Sequence, residues 1–200
     1  GKRGREAESG SMLGKFFPVS SESSGTRQFF LYDLFCFCFP LLSMPLNVGD
    51  AAPTFTLSDQ HETMHTLSDF EGMWLLLYFY PKDDTPGCTK EACGFRDWFR
   101  KFEQHGCRVV GISADSQATH EKFSKRYKLP FMLLADEDKK VIEAYGAWQE
   151  KNFMGKTYMG IVRMSFLIDP KGNIAKIYPE VDPEEHAREV LKDLAELKKK

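Results

Sequence analysis

The apolar positions of the chain change period several times, and each change marks an element. Residues 73–80 are apolar without a break, the pattern of a strand covered on both faces inside a parallel or mixed sheet. Residues 107–114 repeat that pattern after a stretch of helical period over 88–105. Residues 53–57 and 64–67 are short and alternating, which suits an edge hairpin. A helix is expected over 117–127, stopping ahead of Pro130, because the residue before a proline is pushed out of helical backbone. A short strand over 131–134 and a short helix over 138–145 follow. Residues 163–168 and 174–178 read as two strands joined by a turn rich in Asp, Pro, Gly and Asn. A helix over 183–197 closes the chain, with Asp182 as N-cap and Pro183 at its first position. The order is hairpin, β, α, β, α, β, α, β, β, α. It predicts an α/β domain of three layers, a mixed central sheet flanked by helices.

This pattern occupies residues 44–200, and residues 1–43 do not share it. Residues 1–25 are rich in Gly, Ser and charge and carry no period, so disorder is expected there. An apolar run over 29–42 is broken by Asp33 and Pro40 and falls short of the ~20 residues of a membrane span. It could be the core of a secretory signal, but residues of mixed charge precede it and no clear small-x-small cleavage site follows. Glu6, Glu8 and Glu22 argue against an organelle transit segment. Three readings stay open: a targeting segment, a native disordered extension, or non-native sequence ahead of a start at Met44. The expected location is the cytoplasm, or an organelle or the exterior if residues 1–43 are a true targeting segment. No stable membrane association is expected.

Composition changes the picture little. Of 200 residues, 42% are hydrophobic and 28% charged, enough for one core. The formal net charge of −2 gives no reason to expect nucleic acid, whose binders show a basic excess or face. The five cysteines, Cys36, Cys38, Cys88, Cys93 and Cys107, are too few and too scattered for a disulfide framework. They fit a reducing compartment, in which a disulfide is transient.

The chemistry gathers at the end of the strand over 73–80. A loop with Pro81, Thr85, Pro86 and Gly87 leads into the helix at Cys88. Sites form at the carboxyl ends of central strands in open α/β sheets, and a helix N-terminus presents unpaired N–H groups and positive potential. Thiols at such positions lose their proton more readily, and the thiolate is the nucleophile. At ~100° per residue, Cys88 shares the buried face with Ala92, Phe95, Phe99 and Phe102, whereas Cys93 lies ~140° around, beside Thr89, Arg96 and Arg100. Five helical steps exceed the ~7 Å Cα separation that a disulfide tolerates, so pairing needs the first turns to unwind.

These residues resemble the active site of the peroxiredoxins, and more narrowly of the bacterioferritin comigratory protein or peroxiredoxin Q group. The pattern P-x-x-x-T-x-x-C is met by Pro81, Thr85 and Cys88, with Glu91 three residues on and Cys93 five residues on. Arg163, opening Arg-Met-Ser-Phe-Leu-Ile-Asp-Pro, matches the family's distant arginine. Ser165 departs from the threonine common in the group, a mild change that touches no catalytic role. The likeness runs from about Pro45 to Leu197. It implies a thioredoxin-like fold with an N-terminal β-hairpin and no cofactor or metal. It implies that Cys88 attacks a hydroperoxide and becomes a sulfenic acid, with Thr85, Arg163 and the Cys88 N–H holding the peroxide oxygens. Pro81 would shield the sulfur and Glu91 would orient Arg163. Cys93 would close the disulfide, and thioredoxin or a similar dithiol would reopen it. A local disulfide needs no second subunit, so a monomer is expected.

Plainer readings stand beside these. Cys107 opens an apolar strand and reads as a packed core thiol. Asp83 and Asp84 read as solvated loop acids, and the aromatic stripe on the Cys88 helix reads as core. The spacing of Cys88 and Cys93 points the thiols apart, which disfavours zinc. No two histidines have metal spacing. A general disulfide oxidoreductase would carry Cys-x-x-Cys at the helix start, which this chain lacks. A redox sensor that passes its disulfide to a partner is the third class.

Overall fold

A computed structural model describes residues 45–199 apart from Met154, with Phe153 described in its backbone only. The expectations for residues 1–43 lie outside the described residues. A hairpin of β1 (Thr56–Asp59) and β2 (Met64–Thr66) leads through a 3₁₀ turn to β3 (Trp74–Phe79), the uninterrupted apolar run. Then come α1 (Pro86–Gln104), β4 (Cys107–Ser113), α2 (Gln117–Tyr127), β5 (Met132–Ala135) and α3 (Lys140–Ala144). A second hairpin, β6 (Trp148–Phe153) and β7 (Lys156–Ile161), precedes β8 (Met164–Ile168), β9 (Ile174–Tyr178) and α4 (His186–Leu197).

Seven strands form one mixed sheet in the order β2-β1-β5-β4-β3-β8-β9. The middle strands β5, β4 and β3 run parallel, as their helical crossovers require, and β1 and β8 flank them antiparallel. Alternate residues of β3 feed two cores. Leu76 and Tyr78 pack with Phe95 and Phe102 of α1, Phe123 of α2 and Leu194 of α4. Leu75, Leu77 and Phe79 pack on the other face with Ile142 of α3, Tyr145 and Phe166. Packing on the first core, the one that holds Tyr78, is so close at Gly111 of β4 that a Cβ there would sit 2.7 Å from the ring and hydroxyl of Tyr78. This is the three-layer, thioredoxin-like arrangement with an added N-terminal hairpin, as expected.

Three details differ from expectation. The first strand runs over Thr56–Asp59, three residues later at its start than the 53–57 expected. The β6–β7 hairpin was not anticipated. Its residues are largely exposed and it forms a two-stranded sheet of its own, so no buried face imposes alternation on its sequence. The last helix begins at His186 rather than Pro183. Asp182 still caps, but it caps a preceding turn: its carboxylate accepts from Glu184 N at 3.0 Å, and its carbonyl accepts from the N–H of Glu185 and His186.

Candidate active site

β3 and the loop after it deliver the chain to α1 at the edge of the α1–α4 layer. Thr85 is the N-cap, in extended backbone, and Pro86 fills the first helical position, where its missing N–H costs nothing. The Thr85 hydroxyl donates to the Lys82 carbonyl at 3.0 Å, which fixes its rotor and leaves its lone pairs free. Pro81 is half-buried in the same loop. Cys88 stands third in the helix, so its N–H is among those a helix leaves without an internal partner. Its side chain is 1% exposed, on the face shared by Ala92, Phe95 and Phe102.

Arg163, in the short link from β7 to β8, reaches the sulfur from the other side. Its Nη2 donates to Cys88 Sγ at 3.3 Å. Gly87 gives it room, since a Cβ there would lie 3.1 Å from that nitrogen. Its Nη1 pairs with Glu91, one helical turn beyond Cys88 and buried. Burial works against the arginine's charge, and Glu91 and Cys88 outweigh it, so the guanidinium is held above its ordinary range. The other oxygen of Glu91 meets His186 Nδ1 on α4 at 2.9 Å. With Glu91 ionised against Arg163, that nitrogen carries the hydrogen. The result is a continuous row, Cys88, Arg163, Glu91, His186, along the α1–α4 seam.

Cys93 is half-buried on another face of α1. Arg96 lies close to it, its charge stabilised first by a hydrogen bond to Asp97 and also by Cys93, while burial opposes it. Both thiols are free. The intact helix holds their Cα atoms about 8–9 Å apart, beyond reach of a disulfide.

Of the residues singled out from sequence, Arg163 touches both Cys88 and Glu91, Thr85 and Pro81 lie in the loop that leads into the helix, and Cys93 stands apart. Cys107 is core, as expected, and Phe95 and Phe102 of the aromatic stripe are buried. Asp83 corrects the reading of two solvated loop acids. Asp84 is exposed beside Arg126, but Asp83 is buried. It accepts from the Tyr80 hydroxyl at 2.8 Å and meets His120 Nδ1 of α2 at 2.8 Å. Its N–H donates to Asp115 at 2.8 Å. Burial, then Asp83, keeps the Tyr80 hydroxyl protonated far above its ordinary range, so it stays a donor. His120 and His186 were missed for the same reason: each partner lies tens of residues away, and nothing local marks either histidine. Among the described residues no three His, Cys, Asp or Glu side chains converge as a metal site would need.

Residues 48–177 match the AhpC/TSA family. The chain belongs to that family. Among its relatives, peroxiredoxin Bcp of Escherichia coli is 47% identical over 152 residues, which cover 76% of this chain and 97% of the relative. Peroxiredoxin Bcp of Bacillus subtilis is 43% identical over 157 residues, 78% of this chain and the whole relative. A solved structure of the Xanthomonas campestris bacterioferritin comigratory protein, from work on its alkyl peroxide reduction activity, superposes with a TM-score of 0.71 at 36% identity. That superposition covers 76% of this chain and 97% of the other. A peroxiredoxin Q from Xylella fastidiosa gives 0.74 at 34% identity, with 78% and 99% covered. These relatives place this chain in the Bcp and peroxiredoxin Q group of peroxiredoxins. No helix among the described residues is long and apolar enough to cross a membrane.

Proposed function

We propose that the protein is a thiol peroxidase that reduces hydrogen peroxide and organic hydroperoxides through Cys88, with Cys93 as resolving thiol. The observation that carries this reading is the Arg163 Nη2 contact to Cys88 Sγ at 3.3 Å, at a helix start. The thiolate attacks the terminal peroxide oxygen. The S–O bond forms as the O–O bond breaks, and the leaving alkoxide or hydroxide takes up a proton. Arg163 and the Cys88 N–H are placed to hold the charge as it moves onto the leaving oxygen, which is electrostatic preorganisation. Thr85, whose hydrogen is committed to Lys82, offers the peroxide O–H a lone pair. Glu91 orients Arg163, and Pro81 keeps water from the sulfur. A sulfur so covered suits a substrate whose reacting atom is a single slim oxygen better than a bulky protein disulfide.

The first turns of α1 then open, and the Cys93 thiolate attacks Cys88. The S–S bond forms, the S–O bond breaks, and hydroxide leaves as water once protonated. A dithiol such as thioredoxin reopens the disulfide by exchange. Because the disulfide is local, the working unit is a monomer, and the reducing cytoplasm is its setting. The test is NADPH consumption with thioredoxin, thioredoxin reductase and hydrogen peroxide, for the wild type, Cys88→Ser and Cys93→Ser. Turnover lost in Cys88→Ser supports the reading. Turnover retained in full by Cys88→Ser overturns it. Cys93→Ser is expected to stall with Cys88 as sulfenic or sulfinic acid in its mass.

A further inference from the structure

We infer that His186 is a latch on the α1 helix: its bond to Glu91 both steadies Arg163 for the peroxide step and holds back the unwinding that lets Cys93 reach Cys88. The inference rests on the roles proposed above for the two cysteines. Glu91 lies between them, in the stretch of α1 that must leave helical backbone before they can join. Its carboxylate is shared by Arg163 and by His186 Nδ1 at 2.9 Å. Opening α1 therefore breaks the His186 bond, whereas the peroxide step profits from it. His186 belongs to α4, which need not move, and it is fully buried with Phe95 and Tyr178 edge-on at 5.1 and 5.5 Å.

A second observation points the same way. His186 Nε2 is buried and has no hydrogen-bond partner. An unpaired polar atom in an apolar seam is destabilising, and a leucine or phenylalanine would fill the space without that cost. What only the histidine supplies here is the Nδ1–H aimed at Glu91.

The test compares His186→Phe, which keeps a ring between Phe95 and Tyr178 but has no donor, with His186→Asn, whose amide nitrogen restores a donor near the place of Nδ1. Peroxide consumption by Cys88 and disulfide closure are timed separately, by competition kinetics and by mass after acid quench. Removing a hydrogen bond to a buried charge moves a rate by about tenfold. His186→Phe is expected to slow the peroxide step and speed disulfide closure, each by about that factor, and to form less sulfinic acid at a given peroxide dose. His186→Asn is expected to return both rates toward the wild type. Rates that are both unchanged in His186→Phe, or that fall together in both variants, overturn the latch while leaving the cysteine roles intact. A wild type that forms no Cys88–Cys93 disulfide overturns those roles and the latch with them.

Discussion

At Gly87 a side chain would press on Arg163 Nη2 from 3.1 Å, the same nitrogen that donates to the Cys88 sulfur. The arginine's tip must then yield by a few tenths of an ångström, and small misplacements of positioning groups are costly in rate. Gly87→Ala is expected to slow the peroxide step by about tenfold while the melting temperature holds, since the contact is with a side-chain end and not with backbone. Competition kinetics against a second peroxidase measures it; an unchanged rate would remove the placement of Arg163 from the reaction. Cys107 is expected to behave in the opposite way to the reactive thiols. Burial pushes its pKa up to about 12, against smaller lowering by the Leu76 backbone and Lys198. The folded chain thus keeps a proton that the unfolded chain loses above about pH 8.5, and this share of stability fades as pH rises from there. Iodoacetamide at pH 8 is expected to leave Cys107 unmodified until the chain unfolds, read by peptide mapping. Such residues were legible because their signal is local: Pro81, Thr85, Cys88 and Glu91 sit within one loop and turn, and Cys107 within one strand. Asp83, His120 and His186 were not, because each acquires its meaning from a partner on another element.

Among the elements, α1 and the loop before it are held from two directions. His186 and Arg163 grip the first turns through Glu91, and Asp83 pins the loop to α2 and to the end of β4. The Asp83 anchor lies ahead of Cys88, outside the stretch that must unwind, so it acts as a fixed hinge. Asp83→Ala would take from the core the acceptor of the Tyr80 hydroxyl and the carboxylate partner of His120 Nδ1, and a hydrogen bond lost to a buried charged group costs about 1.5–3 kcal/mol. Urea unfolding is expected to show a loss of that order; a loss below about 1 kcal/mol would mean that the pair contributes little to holding the loop. At this scale the periodic elements were readable from sequence wherever one face is buried. α2 and β9 were placed to the residue, and β3 and β4 to within one. The β6–β7 hairpin was invisible because exposure on both faces leaves no period, and the start of α4 shifted because the Asp182-Pro183 signal opens a turn rather than the helix itself.

For the whole molecule, the two redox forms are expected to differ in stability in a direction opposite to that of ordinary disulfides. Closing a loop of six residues, 88 to 93, restricts the unfolded chain and alone would stabilise by about 2 kcal/mol. Against it stand contacts that only the intact helix allows: Arg163 with Cys88, Arg163 with Glu91, and His186 with Glu91. Hydrogen bonds to buried charged groups are worth about 1.5–3 kcal/mol each, and Cys88 and Ala92 also lose their burial against Phe95. The sum exceeds the gain from the cross-link, so the oxidised form is expected to melt about 5 °C or more below the reduced form, at the 2–4 °C per kcal/mol usual for this chain length. Circular dichroism melts of the protein with and without a stable reductant measure the difference, and Cys93→Ser, which cannot close the bond, should lose it. An oxidised form that melts higher would mean that the disulfide closes without dismantling the Glu91 contacts, and the seam between α1 and α4 would then be a rigid support rather than part of the cycle.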